Sequence, residues 1–146
     1  MNILFVCTGN TCRSPMAEAV AKSIFPKDEY NIMSAGLSVI ENQPASQNAV
    51  LAAEALGLNL KEHKAKQITP SLIKEADIVL TMTSGHKQAI ANACNSTSTP
   101  VFTLAEYAGH GGEDVIDPYG CDLEIYKKCI QKLKQYIAET ADIITK

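Results

Sequence analysis

Short apolar runs alternate with longer segments of helical periodicity along this chain. The run Ile3-Leu4-Phe5-Val6 is continuous, which is typical of a strand buried on both faces of a parallel sheet. Similar runs predict further strands at residues 30–35, 78–82 and 100–104. Helices are predicted at 16–25, 44–56, 83–94 and 123–144, with a short one beginning at Pro70; Ser14, Thr69 and Thr83 are the expected caps and Gly57 a stop.

This alternation predicts an α/β fold. Strands separated by helices favour right-handed crossovers and one parallel sheet covered on both sides, here a four-stranded sheet within a three-layer sandwich. The chain has no internal repeat or linker, so we expect one domain over residues 1–146. Ligands of such sheets bind beyond the carboxyl ends of the strands, where the first strand-to-helix loop lies.

Composition narrows the class of protein. The chain has 146 residues, 46% of them hydrophobic, and a net charge of −3, so a nucleic-acid or membrane partner is not expected and any anion site must be local. No apolar run approaches the roughly 20 residues that span a bilayer, and the first residues lack the basic flank of a secretion signal. Five cysteines are too few and odd in number for a disulfide framework, which predicts a reducing, cytoplasmic location.

The loop after the first strand carries the most specific chemistry. It contains Cys7, then five residues, then Arg13, which is the one arginine beside twelve lysines. Gly9 and Asn10 tolerate positive φ, so the loop can turn its amides inward as an anion cradle at a helix N-terminus. Arg13 can pair with two phosphate oxygens, and the same positive field favours the thiolate of Cys7. This loop predicts a nucleophile for phosphoryl transfer, with the hydroxyls of Thr8 and Ser14 as further donors.

A structural interpretation competes with this hypothesis. Cys7 could be a buried residue at the end of a strand and Arg13 an ordinary surface charge. Downstream, Asp117-Pro118-Tyr119-Gly120 could be a simple turn, and residues 105–121 form a long, mostly irregular segment of the kind that is often functional.

Together, Cys7 to Pro15 and Asp117 to Gly120 resemble the low-molecular-weight protein tyrosine phosphatases over essentially the whole chain, as one phosphatase domain. The resemblance implies a flavodoxin-like sheet and hydrolysis through a phosphocysteine, without metal or other cofactor. It implies Cys7 as nucleophile, Arg13 as the residue that holds the phosphoryl group, and Asp117 as general acid. The implied phosphate- and substrate-binding residues are Thr8, Gly9, Asn10, Thr11, Cys12, Arg13, Ser14 and Tyr119.

The downstream motif also makes chemical sense by itself. The leaving group needs a proton and the phosphocysteine then needs a base to activate water, and one carboxyl group can do both in turn. Pro118 stiffens the loop, and Tyr119 can form a wall of the pocket. Asp114 is the alternative acid.

Thr11 bears on the substrate. Many tyrosine phosphatases carry a bulkier aliphatic residue there, and the threonine resembles the bacterial protein-arginine phosphatase branch. A small hydroxyl residue leaves room for a guanidinium, so phosphoarginine in proteins is the expected substrate and phosphotyrosine the alternative. Arsenate reductase lacks support because residues 75–100 offer only Cys94, and a phosphocarrier or phosphopeptide reader would not need Arg13, Asp117 and Cys7 together.

The remaining cysteines and histidines carry weaker signals. The family resemblance supports a reversible Cys7–Cys12 disulfide on oxidation, with Cys12 as the redox partner. Cys94 and Cys129 are interpreted as buried helix residues. His63, His86 and His110 have no metal-ligand spacing and are interpreted as solvated surface residues.

Overall fold

The structure is a computed structural model that describes residues 1–94 and 97–145. Its sheet contains four parallel strands in the order β2-β1-β3-β4, where β1 is Asn2–Cys7, β2 Asn31–Gly36, β3 Ile78–Thr81 and β4 Val101–Thr103. The central strand β1 pairs Leu4 with Met33 on one side and with Val79 on the other. All four predicted strands are confirmed, and no strand end differs from its prediction by more than one residue.

Helices cover both faces of this sheet. They are α1 Arg13–Ile24, α2 Gln47–Glu54, α3 Pro70–Glu75, α4 Ser84–Ala93, α5 Leu104–Tyr107 and α6 Leu123–Ile144. Successive β1 residues point to opposite faces: Ile3 and Phe5 enter the larger core with α1, α2 and α6, whereas Leu4 and Val6 enter the smaller core with α3 and α4. The predicted three-layer α/β sandwich is confirmed.

The N-caps of three helices can be compared with the caps predicted from the sequence. Thr69 and Thr83 cap α3 and α4 as predicted, each hydroxyl accepting a backbone N–H three residues on. Ser14 was expected to cap the first helix, and this is wrong. Cys12 is the N-cap of α1 without a side-chain bond, because the Ser14 hydroxyl is committed to another partner.

Two further boundaries differ from expectation. The second helix begins at Gln47 rather than near Pro44, because the Ser46 hydroxyl accepts the N–H of Ala49. The segment expected to be irregular opens with the short helix α5, which Thr103 caps at Glu106. Beyond α5, the run to Asp122 is without helix or strand. Within the residues that the structure describes, no helix has the length and apolarity to cross a membrane.

Candidate active site

The loop from Cys7 to Arg13 turns its carbonyl groups outward. Five of them accept hydrogen bonds from outside the loop: Cys7 from Leu37 N–H, Thr8 from Ser38 N–H, Asn10 from His63, Thr11 from Ser46 N–H and Cys12 from Met16 N–H. Because C=O and the next N–H point in opposite directions across a trans peptide, the amides that follow face the interior of the loop. Asn10 has φ of 56°, whereas Gly9, the other residue expected to tolerate positive φ, does not adopt it. The loop thus forms an anion cradle at the N-terminus of α1.

A buried chain of hydrogen bonds orients the Asn10 amide beneath this cradle. Its Oδ1 accepts the backbone N–H of Lys66 at 2.9 Å, which fixes Nδ2 as the donating atom. Nδ2 then donates to Ser34 Oγ at 2.9 Å and to Ser14 Oγ at 2.8 Å. Ser34 in turn donates to Glu18 Oε1 at 2.5 Å.

This series of hydrogen bonds frees the Ser14 proton for a bond to Cys7. Ser14 Oγ lies 2.8 Å from Cys7 Sγ, and it already accepts a hydrogen bond from Asn10. Its own proton is therefore free to donate to the sulfur, which leaves Cys7 able to act as the acceptor. The sulfur therefore has the Ser14 hydroxyl as a hydrogen-bond partner and the inward-turned amides of the loop around it.

Arg13 joins the loop to the segment expected to carry the acid. Its side chain is buried, donates from Nη1 to the Val115 carbonyl at 3.2 Å, and places Nη2 3.5 Å from Asp117 Oδ2. The Asp117 side chain is 53% exposed, and its Oδ1 accepts the N–H of Tyr119 at 3.1 Å. The structure therefore brings Arg13 and Asp117 together, although 104 positions separate them in the chain.

Asp114, the alternative acid, is committed elsewhere. Its Oδ1 accepts the Ser84 N–H at 2.9 Å, in the first turn of α4. The next residue, Val115, donates its N–H to the Met82 carbonyl at 2.9 Å. These bonds anchor the loop that carries Asp117, and the geometry favours Asp117 over Asp114 as the acid.

The side chains around the mouth of the cradle differ in exposure. Pro118 is buried while the Tyr119 ring is 75% exposed, so the ring is accessible to a substrate group. Thr11 is half-buried, with Oγ1 3.8 Å from Cys12 Sγ. Thr8 was expected to donate to the thiolate, but its hydroxyl bonds to His86 Nε2 at 2.9 Å instead.

His86 overturns the interpretation of the histidines as solvated surface residues. It is only 7% exposed, because the first turn of α4 packs against the loop at Thr8. Burial and the nearby positive charge of Arg13 lower its pKa to about 4, so the imidazole is neutral at physiological pH. His63 and His110 are half-buried and also bonded, to the Asn10 carbonyl at 2.7 Å and to Glu139 at 2.6 Å.

Cys12 is buried, and its sulfur contacts the hydroxyls of Tyr126 and Ser46. Its Sγ lies 3.3 Å from the Tyr126 hydroxyl and 3.4 Å from Ser46 Oγ, which in turn donates to Tyr126. Burial and the bond to Cys12 raise the pKa of Tyr126 to about 12, so this hydroxyl keeps its proton. The proposed Cys7–Cys12 pair consists of two buried free thiols.

The other thiols lie outside the cradle. Cys129 is buried in α6 as predicted, and burial raises its pKa to about 12, which makes it a poor nucleophile. Cys94 is only half-buried, because it is the residue that ends α4, and Cys121 is exposed. Across residues 1–94 and 97–145, no group of three potential ligands is placed to hold a metal.

Sequence reasoning missed four residues that support the cradle: Glu18, Ser34, His63 and His86. Glu18 had a usable signal, because it lies four residues after Ser14 and therefore on the same side of α1. Ser34 sits among buried neighbours near the carboxyl end of β2, which suggests a polar group with a partner. His63 and His86 carry no local signal, because their partners are 53 and 78 residues away.

The sequence and the fold were compared with those of known proteins. The family described as Low molecular weight phosphotyrosine protein phosphatase matches residues 2–146. A protein-arginine-phosphatase from Bacillus subtilis is 41% identical, covering 100% of this chain and 98% of that protein. The low molecular weight protein-tyrosine-phosphatase PtpB from Staphylococcus aureus is 42% identical, with 99% of each chain covered. Among solved structures, a mutant YwlE arginine phosphatase with a phosphorylated active-site serine has a TM-score of 0.95 at 40% identity, covering 100% of this chain and 97% of that one.

Proposed function

Because the chain belongs to the low molecular weight phosphotyrosine protein phosphatase family, we propose that it hydrolyses phosphoarginine in proteins through a phosphocysteine on Cys7. The family contains hydrolases with a cysteine nucleophile. The observation that carries the proposal is the series of hydrogen bonds Asn10–Ser14–Cys7 beneath the cradle, which leaves the Ser14 proton free to donate to the sulfur. A purely structural cysteine has no use for an oriented hydroxyl and an inward-facing set of amides.

In the first step, the Cys7 thiolate attacks phosphorus and the bond to the leaving nitrogen breaks. The loop amides and Arg13 hold the phosphoryl oxygens, where negative charge concentrates in the transition state. Arg13 pairs with Asp117 in the structure, so an incoming phosphoryl group takes over part of that pairing. Asp117 then gives its proton to the departing guanidine nitrogen.

In the second step, water replaces the sulfur on phosphorus. The Asp117 carboxylate accepts a proton from the water as it attacks, and the sulfur leaves as a thiolate. The bond from Ser14 stabilises this leaving thiolate, so the same hydroxyl serves both steps. A phosphorylated active-site serine in the related YwlE mutant supports a covalent phosphoenzyme.

Thr11 supports phosphoarginine as the substrate. Its half-buried side chain is small and polar, so it leaves room for a charged guanidinium, whereas a bulkier aliphatic residue would favour an aryl ring. The arginine phosphatase relative supports the same substrate. Phosphotyrosine is the second candidate, because the exposed Tyr119 ring offers an aromatic surface and a tyrosine phosphatase is equally similar.

Parallel assays of one peptide carrying phosphoarginine or phosphotyrosine separate these candidates. We expect a higher kcat/KM for phosphoarginine in the wild type and a shift toward phosphotyrosine in Thr11→Ile. Thr145→Ile, at the exposed end of α6, is the matched control and should leave the ratio unchanged. A wild type that prefers phosphotyrosine would overturn the assignment.

The Cys7→Ser variant tests the nucleophile. It should lose hydrolysis of both peptides and of a generic aryl phosphate while it still binds inorganic phosphate, because the amides and Arg13 remain.

The expected partners are phosphorylated proteins rather than nucleic acid, because the net charge is −3. The five free thiols support a cytoplasmic location.

A further inference from the structure

The first turn of α4 contacts both loops of the site. At Ser84, the backbone N–H donates to Asp114 Oδ1 at 2.9 Å and so holds the segment that leads to Asp117. At His86, the imidazole Nε2 lies 2.9 Å from the Thr8 hydroxyl, one residue after the nucleophile. One rigid turn, closed by the Thr83 cap, therefore spans the nucleophile loop and the acid loop.

His86 is an unusual residue for this position. Only 7% of the residue is exposed, yet its Nδ1 has no hydrogen-bond partner among the described residues. A buried polar atom without a partner is costly, and a nonpolar side chain would avoid that cost. Only the bond to Thr8 makes use of the ring's polarity, so the retained imidazole points to that bond as its purpose.

The buried Nδ1 also indicates which atom carries the proton. An orphaned N–H is rarer in folded proteins than an unused lone pair, so the proton belongs on Nε2. Nε2–H then donates to Thr8 Oγ1 and leaves the Thr8 proton free to point elsewhere. Thr8 is exposed, and solvent therefore competes for its hydroxyl unless His86 holds it.

We propose that His86 is a positioning residue of the anion cradle, acting through the hydroxyl of Thr8. By holding Thr8, it fixes the peptide between Thr8 and Gly9, whose amide faces the interior of the cradle. Together with the Ser84–Asp114 bond, it keeps the cradle at a set distance from Asp117. This inference rests on the proposed phosphatase function, since it assigns the residue a role in that same site.

A double-mutant cycle tests the inference. The variants are His86→Leu, Thr8→Val and the combination, assayed for hydrolysis of an aryl phosphate and, by calorimetry, for binding of inorganic phosphate. We expect each single change to reduce kcat/KM about tenfold, the scale of one lost hydrogen bond, and the double change to lose no more than either one. Phosphate affinity should fall in parallel, because the cradle itself is loosened.

Two controls separate positioning from general stability. His86→Gln places an amide nitrogen near the former Nε2 and should restore most of the activity and phosphate affinity. Gln88→Leu, exposed on the same helix, should leave both unchanged. If His86→Leu does not fold, Thr8→Val compared with Thr8→Ser tests the same bond.

The outcomes are distinguishable from failure of the proposed function. Losses that multiply in the double variant, or a phosphate affinity and kcat/KM within twofold of the wild type in His86→Leu, would overturn the positioning role. A wild type without Cys7-dependent hydrolysis would overturn the phosphatase function instead, and phosphate binding would still report on the role of His86.

Discussion

Ser14 shows how one hydroxyl becomes directional in this site. Its oxygen accepts a hydrogen bond from the Asn10 amide, and that amide is fixed by the Lys66 backbone. The Ser14 proton is thereby left free to donate to Cys7 Sγ, 2.8 Å away. The sulfur proposed as nucleophile therefore depends on an oxygen that is itself oriented by the Asn10 amide.

Removing this hydroxyl should affect chemistry more than binding. We expect Ser14→Ala to reduce kcat about 10- to 100-fold, because a hydrogen bond to a charged group contributes about 1.5–3 kcal/mol. Binding of inorganic phosphate should change little, since the loop amides and Arg13 remain. Steady-state kinetics with an aryl phosphate gives the first quantity and calorimetry the second. Ser23→Ala, on the exposed side of α1, is the control, and an equal loss in both variants would contradict this role.

The neutral His86 also makes stability depend on pH. Its pKa is about 4 in the folded protein, lowered by burial and by Arg13 against the opposing charges of Asp114 and Asp117, and 6.5 when unfolded. Between these values the unfolded chain binds the extra proton, so the free energy of unfolding falls as pH drops from 6.5 to 4. The loss is about 2–3 kcal/mol in total.

Urea denaturation of the wild type and His86→Gln across pH 7 to 4.5 measures this contribution. The difference in unfolding free energy between the two proteins should shift steadily in favour of the variant as pH falls. A constant difference over the whole range would show that His86 does not titrate in this window.

The role of a single residue was easier to predict when its partners lie close to it in the sequence. Cys7, Arg13 and Asp117 were predicted as site residues because two short motifs carry them, and the structure brings Arg13 and Asp117 together. Thr8 and His86 were misassigned because their shared bond joins residues 78 positions apart. The direction of the Ser14 proton depends on Lys66, which no motif connects to the loop.

Elements were predictable where a local pattern decides them. The apolar runs gave all four strands, and threonine caps gave the starts of α3 and α4. The short helix α5 was missed because four residues are too few to show a period, and only the cap at Thr103 marks it. The start of α1 was misplaced because Ser14 serves Cys7 rather than its own helix.

The end of β2 is packed directly beneath the cradle. A Cβ at Gly36 would lie 2.6 Å from the Thr8 carbonyl oxygen, 2.9 Å from Asn10 N and 2.5 Å from Val39 Cγ2. Two of these atoms are backbone of the anion loop, which cannot move without opening the cradle.

Gly36→Ala should therefore reduce anion binding as well as stability. We expect at least tenfold weaker inorganic phosphate binding and a cost of about 1–3 kcal/mol in unfolding free energy, typical of overpacking. Gly112→Ala, where an added Cβ meets no atom within 4 Å, is the matched control. Calorimetry and urea denaturation check both quantities, and an unchanged phosphate affinity would contradict the expectation.

Helix α6 contacts Cys12, the proposed redox partner, through the Tyr126 hydroxyl. Peroxide would oxidise Cys7 to a sulfenic acid, and attack of the Cys12 sulfur on Cys7 would then form the proposed disulfide and release water. The Cys12 sulfur is, however, hydrogen-bonded to Tyr126. Tyr126→Phe should therefore increase the fraction of activity that a dithiol recovers after a peroxide pulse, and Cys12→Ser should abolish that recovery. Tyr107→Phe, on α5, serves as the control. Equal recovery in Tyr126→Phe and the wild type would show that this bond does not restrain closure.

The whole fold assembles a site from three distant segments. Parallel strands place residues 7–14, the first turn of α4 and residues 114–119 at one edge of the sheet. Because the bonds between these segments cross the molecule, an anion that fills the cradle stabilises the native chain and not the unfolded one.

This linkage predicts a measurable thermal shift. Inorganic phosphate at about 100 times its Kd should add about 2.7 kcal/mol to the unfolding free energy, or roughly 5–10 °C in Tm for a chain of this size. Cys7→Ser should keep the shift, whereas Arg13→Lys should lose much of it because the two-point contact is gone. Thermal denaturation with and without phosphate checks both, and an equal shift in Arg13→Lys would argue against a cradle centred on that guanidinium.

The solitary arginine has a consequence for the phosphorylation cycle in which an arginine phosphatase would act. A kinase that modifies arginine must reach a guanidinium nitrogen, and the only guanidinium in this chain has a side chain 6% exposed and occupied by Val115 and Asp117. Every other cationic side chain on the surface is a lysine or histidine. While folded, the protein therefore offers such a kinase no accessible guanidinium. It would not itself carry the phosphoarginine that it is proposed to hydrolyse.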